Sequence, residues 1–229
     1  MKRTLPLLAA ANFAAASAGM IIAGILQLIA TDLHWSTTQA GHLITFYALG
    51  FAVGAPILGA ALGTWCRKRV VILGLSLVSA GSLASALAAD SPWLELARLL
   101  VACGGAMTIP SVAAIATYLF PAERPKALAT VLLGMTLAII VGVPLGTFIA
   151  GVWGWRVPLI GAAMLAAVAA LTIKARLPGG IVVPPVPLSA WKDLLGDRRT
   201  YLLLASPLLM VAATFSIYGY IAPFTSVKV

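Results

Sequence analysis

Residues 5–30 read LPLLAAANFAAASAGMIIAGILQLIA, an apolar run without one ionisable side chain. About 20 such residues in helical conformation cross the hydrocarbon core of a bilayer, whereas an ordinary soluble helix of this length carries a polar face. Lys2 and Arg3 precede the run, and Ala16-Ser17-Ala18 has the small-x-small form of a signal-peptide cleavage site. The apolar segment continues well past that site, so it is read as an uncleaved first transmembrane helix.

Working outward, six further apolar runs follow at 39–62, 70–89, 93–120, 127–152, 157–173 and 201–222. Each is of spanning length or close to it. The composition agrees: 62% of the 229 residues are hydrophobic and 9% charged, with a mean hydropathy of +1.05. Six acidic and fifteen basic residues cannot clothe a soluble domain of this size. The formal charge of +9 is spread between the apolar runs rather than gathered on one patch, which argues against a nucleic-acid partner. The two cysteines, Cys66 and Cys103, form no disulfide framework and no metal-ligand spacing.

The basic residues give the topology. In a seven-span arrangement Lys2, Arg3, Arg67, Lys68, Arg69, Arg124, Lys126, Lys174, Arg176, Lys192, Arg198 and Arg199 all fall on one side, while Asp32, Asp90, Arg156 and Lys228 fall on the other. Lys and Arg are retained in the cytoplasm, so the N-terminus is expected inside the cell and residue 229 outside. The stretch 174–199 is long, charged and proline-rich, and reads as a linker between bundles, with 188–195 able to form a short helix on the membrane surface. Ser36-Thr37-Thr38-Gln39 has capping-box form; Ser91-Pro92 reads as a cap followed by an N1 proline, placing Glu95 in the first turn of the fourth helix. Small residues mark close helix contacts: Ala15, Gly19 and Ala23 lead to Gln27 along one stripe, and Gly50/Gly54 and Gly142/Gly146 are GxxxG pairs.

Residues 59–69, GAALGTWCRKR, resemble the loop signature of the major facilitator superfamily, G-x-L-a-D-R-x-G-R-K. Gly59 and the basic cluster Arg67, Lys68 and Arg69 match; Gly63 stands in place of the signature Asp and Cys66 in place of its second Gly. The resemblance implies a gating role for this loop, without the acidic member of its charge-relay latch. Residues 134–151, GMTLAIIVGVPLGTFIAG, are similar to the antiporter signature of the family's efflux branches, and Gly154-Trp155-Arg156 and the 120–127 loop also fit. Gly142, Pro144 and Gly146 in this run give a kinked, closely packed helix suited to bending or sealing. Arg98 matches the family's membrane-embedded arginine, with Val101 where a Gln is usual.

The resemblance spans the chain and implies two six-helix bundles around a cavity, each an inverted 3+3 repeat. The expected fold is therefore all-α: a six-helix bundle over 1–173, a linker over 174–199, and over 200–229 the first helix of an incomplete second bundle. The chain reads as truncated. Its implied activity is efflux of a small molecule against protons at the inner or plasma membrane, complete only with the second bundle; the alternative is a remnant or half-transporter that must find a partner half.

Candidate substrate or proton-coupling groups are Asn12, Gln27, Arg98 and Asp32. Arg98 within a span costs about 2.5–3.5 kcal/mol on insertion scales and calls for a partner, for which Glu95 is the nearest in sequence. Asn12 and Gln27 also suit interhelical hydrogen bonding, Asp32 a solvated helix end, and His42 a buried hydrogen bond. Asp32, His34 and His42 form at most a weak metal-binding set. A seven-helix receptor is disfavoured by the cytoplasmic N-terminus, and a retinal protein by the absence of lysine within 201–222. No catalytic cluster indicates an enzyme, and no cofactor is expected, since no Gly-rich phosphate loop for ATP occurs.

Overall fold

The computed structural model describes residues 4–183 and, further on, 200–203, 205, 206, 208–210 and 213. Two compact units divide the chain, Met1–Pro185 and Val186–Val229. In the second, the described residues of Thr200–Met210 are helical and apolar. The expected surface helix at 188–195 and the rest of the seventh run lie outside the described residues.

The first unit is built from α1 (Thr4–Asp32), α2 (Thr37–Ala61), α3 (Arg67–Leu87), α4 (Ser91–Leu119), α5 (Arg124–Leu137), α6 (Val143–Trp153) and α7 (Arg156–Arg176). A π-turn at Ala138–Gly142 joins α5 to α6, so both belong to one continuous span, Pro121–Trp153. Six helical spans result, at the places where the first six apolar runs were expected. Local chemistry sets their ends. Ser36 and Gln39 form the reciprocal capping box that starts α2. At α4 the cap is Asp90, one residue earlier than expected, because its carboxylate reaches the Trp93 N–H at 3.0 Å. Pro92 thus takes the second helical position, and Glu95 falls beyond the first turn.

The π-turn has a clear cause. Pro144 brings no N–H to the helical ladder, and the register slips just before it: Val143 N–H reaches back five residues to the Ala138 carbonyl. The sequence expectation of a proline-linked distortion is met, but by a bulge preceding the proline rather than a simple kink.

α3 packs on α4 and α7, α2 on α4, and α1 on α4, α5 and α7. Exchanging spans one, two and three for four, five and six maps these main contacts onto one another. α2 against α4 becomes the fifth span against α1; α3 against α4 becomes α7 against α1. The packing therefore carries the inverted 3+3 repeat. Two apolar clusters fill the interior. One gathers Leu8, Ala18, Leu75, Val78, Val101 and Ile173 toward the end that bears Arg67–Arg69, hereafter the basic end. The other gathers Ile22, Ile25, Leu43, Leu94, Trp155 and Leu159 toward the opposite end.

Glycines let the backbones meet. A Cβ on Gly104 would lie 2.5 Å from the Gly74 carbonyl oxygen and 2.7 Å from the Val78 nitrogen, atoms that cannot move without parting α3 from α4. Gly50 on α2 sits against Ala102 and Leu99 of α4, and Gly142 and Gly146 sit against Ser17 and Ile21 of α1. The α1 stripe behaves differently along its length: Ala15 and Gly19 are buried, while Ala23 and Gln27 are exposed. Its second half thus makes no close contact within this unit.

Substituting Gly104→Ala should destabilise the bundle by about 1–3 kcal/mol, the usual cost of overpacking, and lower its melting temperature in detergent. Gly54→Ala, whose new Cβ would meet Ala106 at an ordinary 3.5 Å, should leave the melting temperature within error. Equal behaviour of the two variants would contradict the α3–α4 contact.

Candidate functional site: a buried arginine and a tied helix end

Arg98 lies on α4 between Leu94 and Val101, that is, at the seam between the two apolar clusters, and is 1% exposed. Its expected pairing with Glu95 does not form. The guanidinium instead crosses to α1, where Nη1 donates to the Ala18 carbonyl at 3.0 Å and Nη2 to the Gly19 carbonyl at 2.7 Å. Carbonyls already engaged in a helix keep a second lone pair, so α1 accepts both bonds without unwinding. The Tyr47 ring of α2 lies 4.9 Å from the guanidinium carbon, adding a cation–π contact. Tyr47 in turn needs Gly19: its hydroxyl occupies the space a Cβ there would take. Arg98 Nε is buried without a partner.

Glu95 faces elsewhere. One of its oxygens accepts from Ser91 Oγ at 3.0 Å and stands 4.0 Å from His42 Nδ1. Asn12 is fully buried and donates through Nδ2 to the Val131 carbonyl of α5 at 2.9 Å, while its Oδ1 finds no partner. Asn12 therefore links helices, and Gln27 opens to the exterior. The four expected substrate or coupling groups are not brought together: Asn12 and Arg98 are enclosed in different helix crossings, Gln27 is exposed, and Asp32 lies at the end opposite the basic one.

Asp32 is not a free helix-end carboxylate. Its Oδ2 accepts from Trp155 Nε1 at 2.8 Å and from Arg156 Nη1 at 3.0 Å. Arg156 also stacks on the Trp155 ring at 4.2 Å and donates from Nη2 to the Ala88 carbonyl at 3.4 Å. Gly154 makes this possible. At φ 90° it turns the chain through a conformation that side chains rarely tolerate, carrying Trp155 from the end of α6 into the protein, where it is 3% exposed. One clasp thus joins the end of α1, the α6–α7 turn and the α3–α4 turn. Among the described residues no three His, Cys, Asp or Glu side chains converge as a metal site, and His42 turns to Glu95 rather than toward Asp32.

At the basic end the signature loop holds the segment after α7. Lys68 Nζ donates to the Leu177 carbonyl, the Arg67 N–H donates to the Ile181 carbonyl at 2.8 Å, and the Arg67 guanidinium donates to Gly63 at 3.4 Å. Leu177 and Ile181 are buried in the neighbouring cluster. Arg69 is exposed, and nothing lies within 4 Å of a Cβ placed on Gly59, also exposed. Cys66 precedes α3. Partial burial pushes its thiol up, but backbone N–H groups of Lys68, Arg69, Gly180 and Ile181 outweigh this and hold it below the ordinary thiol value.

The model of the Major Facilitator Superfamily matches residues 7–228. The chain belongs to the major facilitator superfamily. A chloramphenicol resistance protein of Streptomyces lividans is 33% identical over 230 residues, covering 97% of this chain and 58% of that protein. The inner membrane transport protein YdhP of Escherichia coli strain K12 is 31% identical over 229 residues, covering 97% and 58% respectively. Among solved structures, a bacterial homologue of the human lysosomal transporter Spinster, inward-facing and unoccupied, superposes with a TM-score of 0.70 at 20% identity, over 81% of this chain and 45% of that one. A peptide transporter of the POT type in complex with sulfate gives 0.69 at 16% identity, over 96% and 47%. At these identities the structural matches speak for the fold alone, and the bundle above is the major facilitator fold. The chain spans a little over half the length of the curated relatives it matches.

Two measurements check this geometry. Arg98→Met should keep or raise stability, since a packed apolar side chain removes the cost of burying a charge. Arg98→Lys should lose about 1.5–3 kcal/mol, because a single ammonium does not reproduce the forked pair of bonds to Ala18 and Gly19. For Cys66, alkylation by iodoacetamide should rise with pH through a midpoint below that of an unstructured thiol, because the lowered value enriches the thiolate at lower pH. A midpoint at or above the ordinary thiol value would remove the converging amides from the account.

Proposed function

We propose that the chain supplies the N-terminal bundle, 1–173, of a transporter that expels a small molecule in exchange for protons, with 174–199 as the central linker and 200–229 opening a second bundle. The observation that carries this reading is the uneven burial of the spans. The most apolar windows of the second and fifth spans are 6% and 17% buried, against 44–61% for the other four. Two spans related by the repeat thus leave their faces free on a bundle whose relatives are nearly twice its length. A second bundle against those faces would enclose a cavity, and rocking of one bundle on the other would give alternating access. The N-terminus is cytoplasmic in this reading, with the basic end inside the cell.

The relatives' names point to the substrate class: a chloramphenicol resistance protein and a chloramphenicol efflux pump of Mycobacterium tuberculosis strain H37Rv each align over at least 95% of the chain. We take a neutral or weakly polar drug-sized molecule as cargo. Gln27, exposed on α1, is the group of this half placed to meet it. Of the carboxylates in the described bundle, Asp90 caps α4, Glu123 lies 3.5 Å from Lys126 at the exposed start of the fifth span, and Asp32 is engaged by Trp155 and Arg156. Proton exchange in this half therefore falls to Glu95 beside His42, three residues before the fixed charge of Arg98. The π-turn before Pro144 supplies bending in the fifth span, and Gly142 and Gly146 keep that span close to α1 as it bends.

Everted membrane vesicles in which this bundle is joined to a second one, energised by respiration, should accumulate labelled chloramphenicol several-fold above vesicles without the protein. A protonophore should abolish the uptake, and Glu95→Gln should remove its dependence on the proton gradient. Uptake that survives the protonophore would reject proton coupling. No uptake with the two bundles joined would reject transport, and uptake only when the second bundle is supplied as a separate chain would favour the second reading, a half-transporter that finds a partner half.

A further inference from the structure

α3 packs on α7, α4 and α1, and α7 on α3 and α1, while neither meets α2 or α5. α7 touches the fifth span through α6, toward the end opposite the basic one. α2 and α5 each pack on both α1 and α4. The α3–α7 pair thus stands across the α1–α4 layer from the two free faces that receive the second bundle in the reading above, on which this placement rests. Its outward side is left to lipid, above all in the half of the membrane nearer the basic end.

Two hydrogen bonds set the register of this antiparallel pair: Ser79 Oγ donates to the Ala163 carbonyl at 2.8 Å, and Lys68 Nζ to the Leu177 carbonyl. Counted from there, exposed residues of the two helices fall in matched rows, Leu83 beside Ile160, Leu73 beside Leu171 and Arg69 beside Lys174. Between the outer and the last of these rows the exposed side chains are apolar except Ser76. Arg69 lies ten residues before Ser79, so at 1.5 Å per residue the cationic row stands about 15 Å from it, half the roughly 30 Å hydrocarbon core. Ser79 is near the middle of α3, and the two cations therefore close the apolar strip at headgroup level. Helices in contact have axes about 8–10 Å apart, a gap that an Arg and a Lys side chain span together. Among the described residues neither cation meets a carboxylate: the ion pairs are Lys126 with Glu123, His42 with Glu95 and Arg156 with Asp32. Arg176, two residues past Lys174, falls on the side of α7 away from α3.

We propose that the outward α3–α7 seam binds one anionic phospholipid at the basic end, its phosphate bridged by Arg69 and Lys174 and an acyl chain lying along Leu73 and Leu171 toward Ala80. The occupant follows from charge and length. Two cations without a carboxylate beside them match a headgroup of net negative charge, whereas the ammonium of a zwitterionic lipid finds only repulsion there. The guanidinium can fork onto two phosphate oxygens while the ammonium takes a third. The apolar rows from Leu73 to Ala80 cover about the depth of one leaflet.

The test uses the 229-residue protein, delipidated in detergent and titrated with phosphatidylglycerol or phosphatidylcholine of identical acyl chains, with bound lipid counted by native mass spectrometry. The first phosphatidylglycerol should bind with about 25-fold preference, roughly fivefold for each of the two cations. Arg69→Gln and Lys174→Gln should each cut that preference about fivefold, and either reads the site should the other not fold. Arg124→Gln removes an exposed cation of the same membrane end on a different span and should leave the preference within twofold. Equal binding of the two lipids by the unaltered protein would overturn the assignment, as would a loss on Arg124→Gln as large as that on Arg69→Gln, which is the mark of a diffuse surface charge. Joined bundles that take up chloramphenicol while this chain shows no lipid preference would sink the assignment and leave the transport reading standing.

Discussion

A guanidinium enclosed in a bundle of lipid-embedded helices has to be held by something, and in this chain backbone carbonyls hold it. Arg98 draws two oxygens from α1, and this choice constrains three helices together. α1 must present Ala18 and Gly19 to α4, Gly19 must lack a side chain so that Tyr47 can approach, and Tyr47 must bring α2 over the charge. A carboxylate partner would satisfy the charge locally and leave the helices free to shift. Bonds to a neighbouring backbone tie the charge to the position of the helix itself. The apolar clusters on either side of Arg98 are consequently locked in one register, since α1 contributes Ala18 to one and Ile21 to the other.

The inverted repeat distributes the remaining close contacts. Gly50 and Gly54 bring α2 to α4, and Gly142 and Gly146 bring the fifth span to α1, the same crossing in the two halves of the repeat. Without a solvent-driven force between helices in lipid, such crossings depend on packing and on interhelical hydrogen bonds. Asn12 to Val131 supplies one such bond, and Ser79 of α3 to the Ala163 carbonyl of α7 supplies another. The two spans that the repeat pushes outward, the second and the fifth, keep long apolar faces exposed: Leu49, Val53 and Ile57 on one, Leu133, Val141 and Phe148 on the other.

Spans, caps and the proline distortion were legible because each depends on local chemistry: hydrocarbon length, a Ser with a Gln three residues on, a missing N–H. The GxxxG pairs also lie where close packing was expected, because two glycines four apart on an apolar helix clear one face for a neighbouring backbone. The polar partners were not legible. Proximity in sequence pointed Arg98 to Glu95, yet side chains three residues apart on a helix compete with whatever lies across the crossing, and nothing in a sequence marks a carbonyl of α1 as an acceptor. The partners of Asp32 were hidden for a related reason: they are 123 and 124 residues away. The only hint was that Gly154-Trp155-Arg156 places a turn-former, an indole donor and a cation on the side of the membrane where Asp32 also falls.

The rigid and deformable parts of the bundle are separated by these interactions. The α1–α4 crossing is fixed by Arg98, the α3–α4 crossing by backbone contact at Gly74 and Gly104, and the end opposite the basic one by the Asp32 clasp. Of the six described spans, the fifth alone combines a slipped hydrogen-bond register, a proline and exposed length. Lost ladder bonds lower the cost of bending where they occur, and a bend at Ala138–Gly142 moves the segment before it relative to the segment after it, which the clasp holds through Trp155. The π-turn thus lies between α5, tied to α1 by the Asn12–Val131 bond, and α6, which leads into the clasp at Trp155.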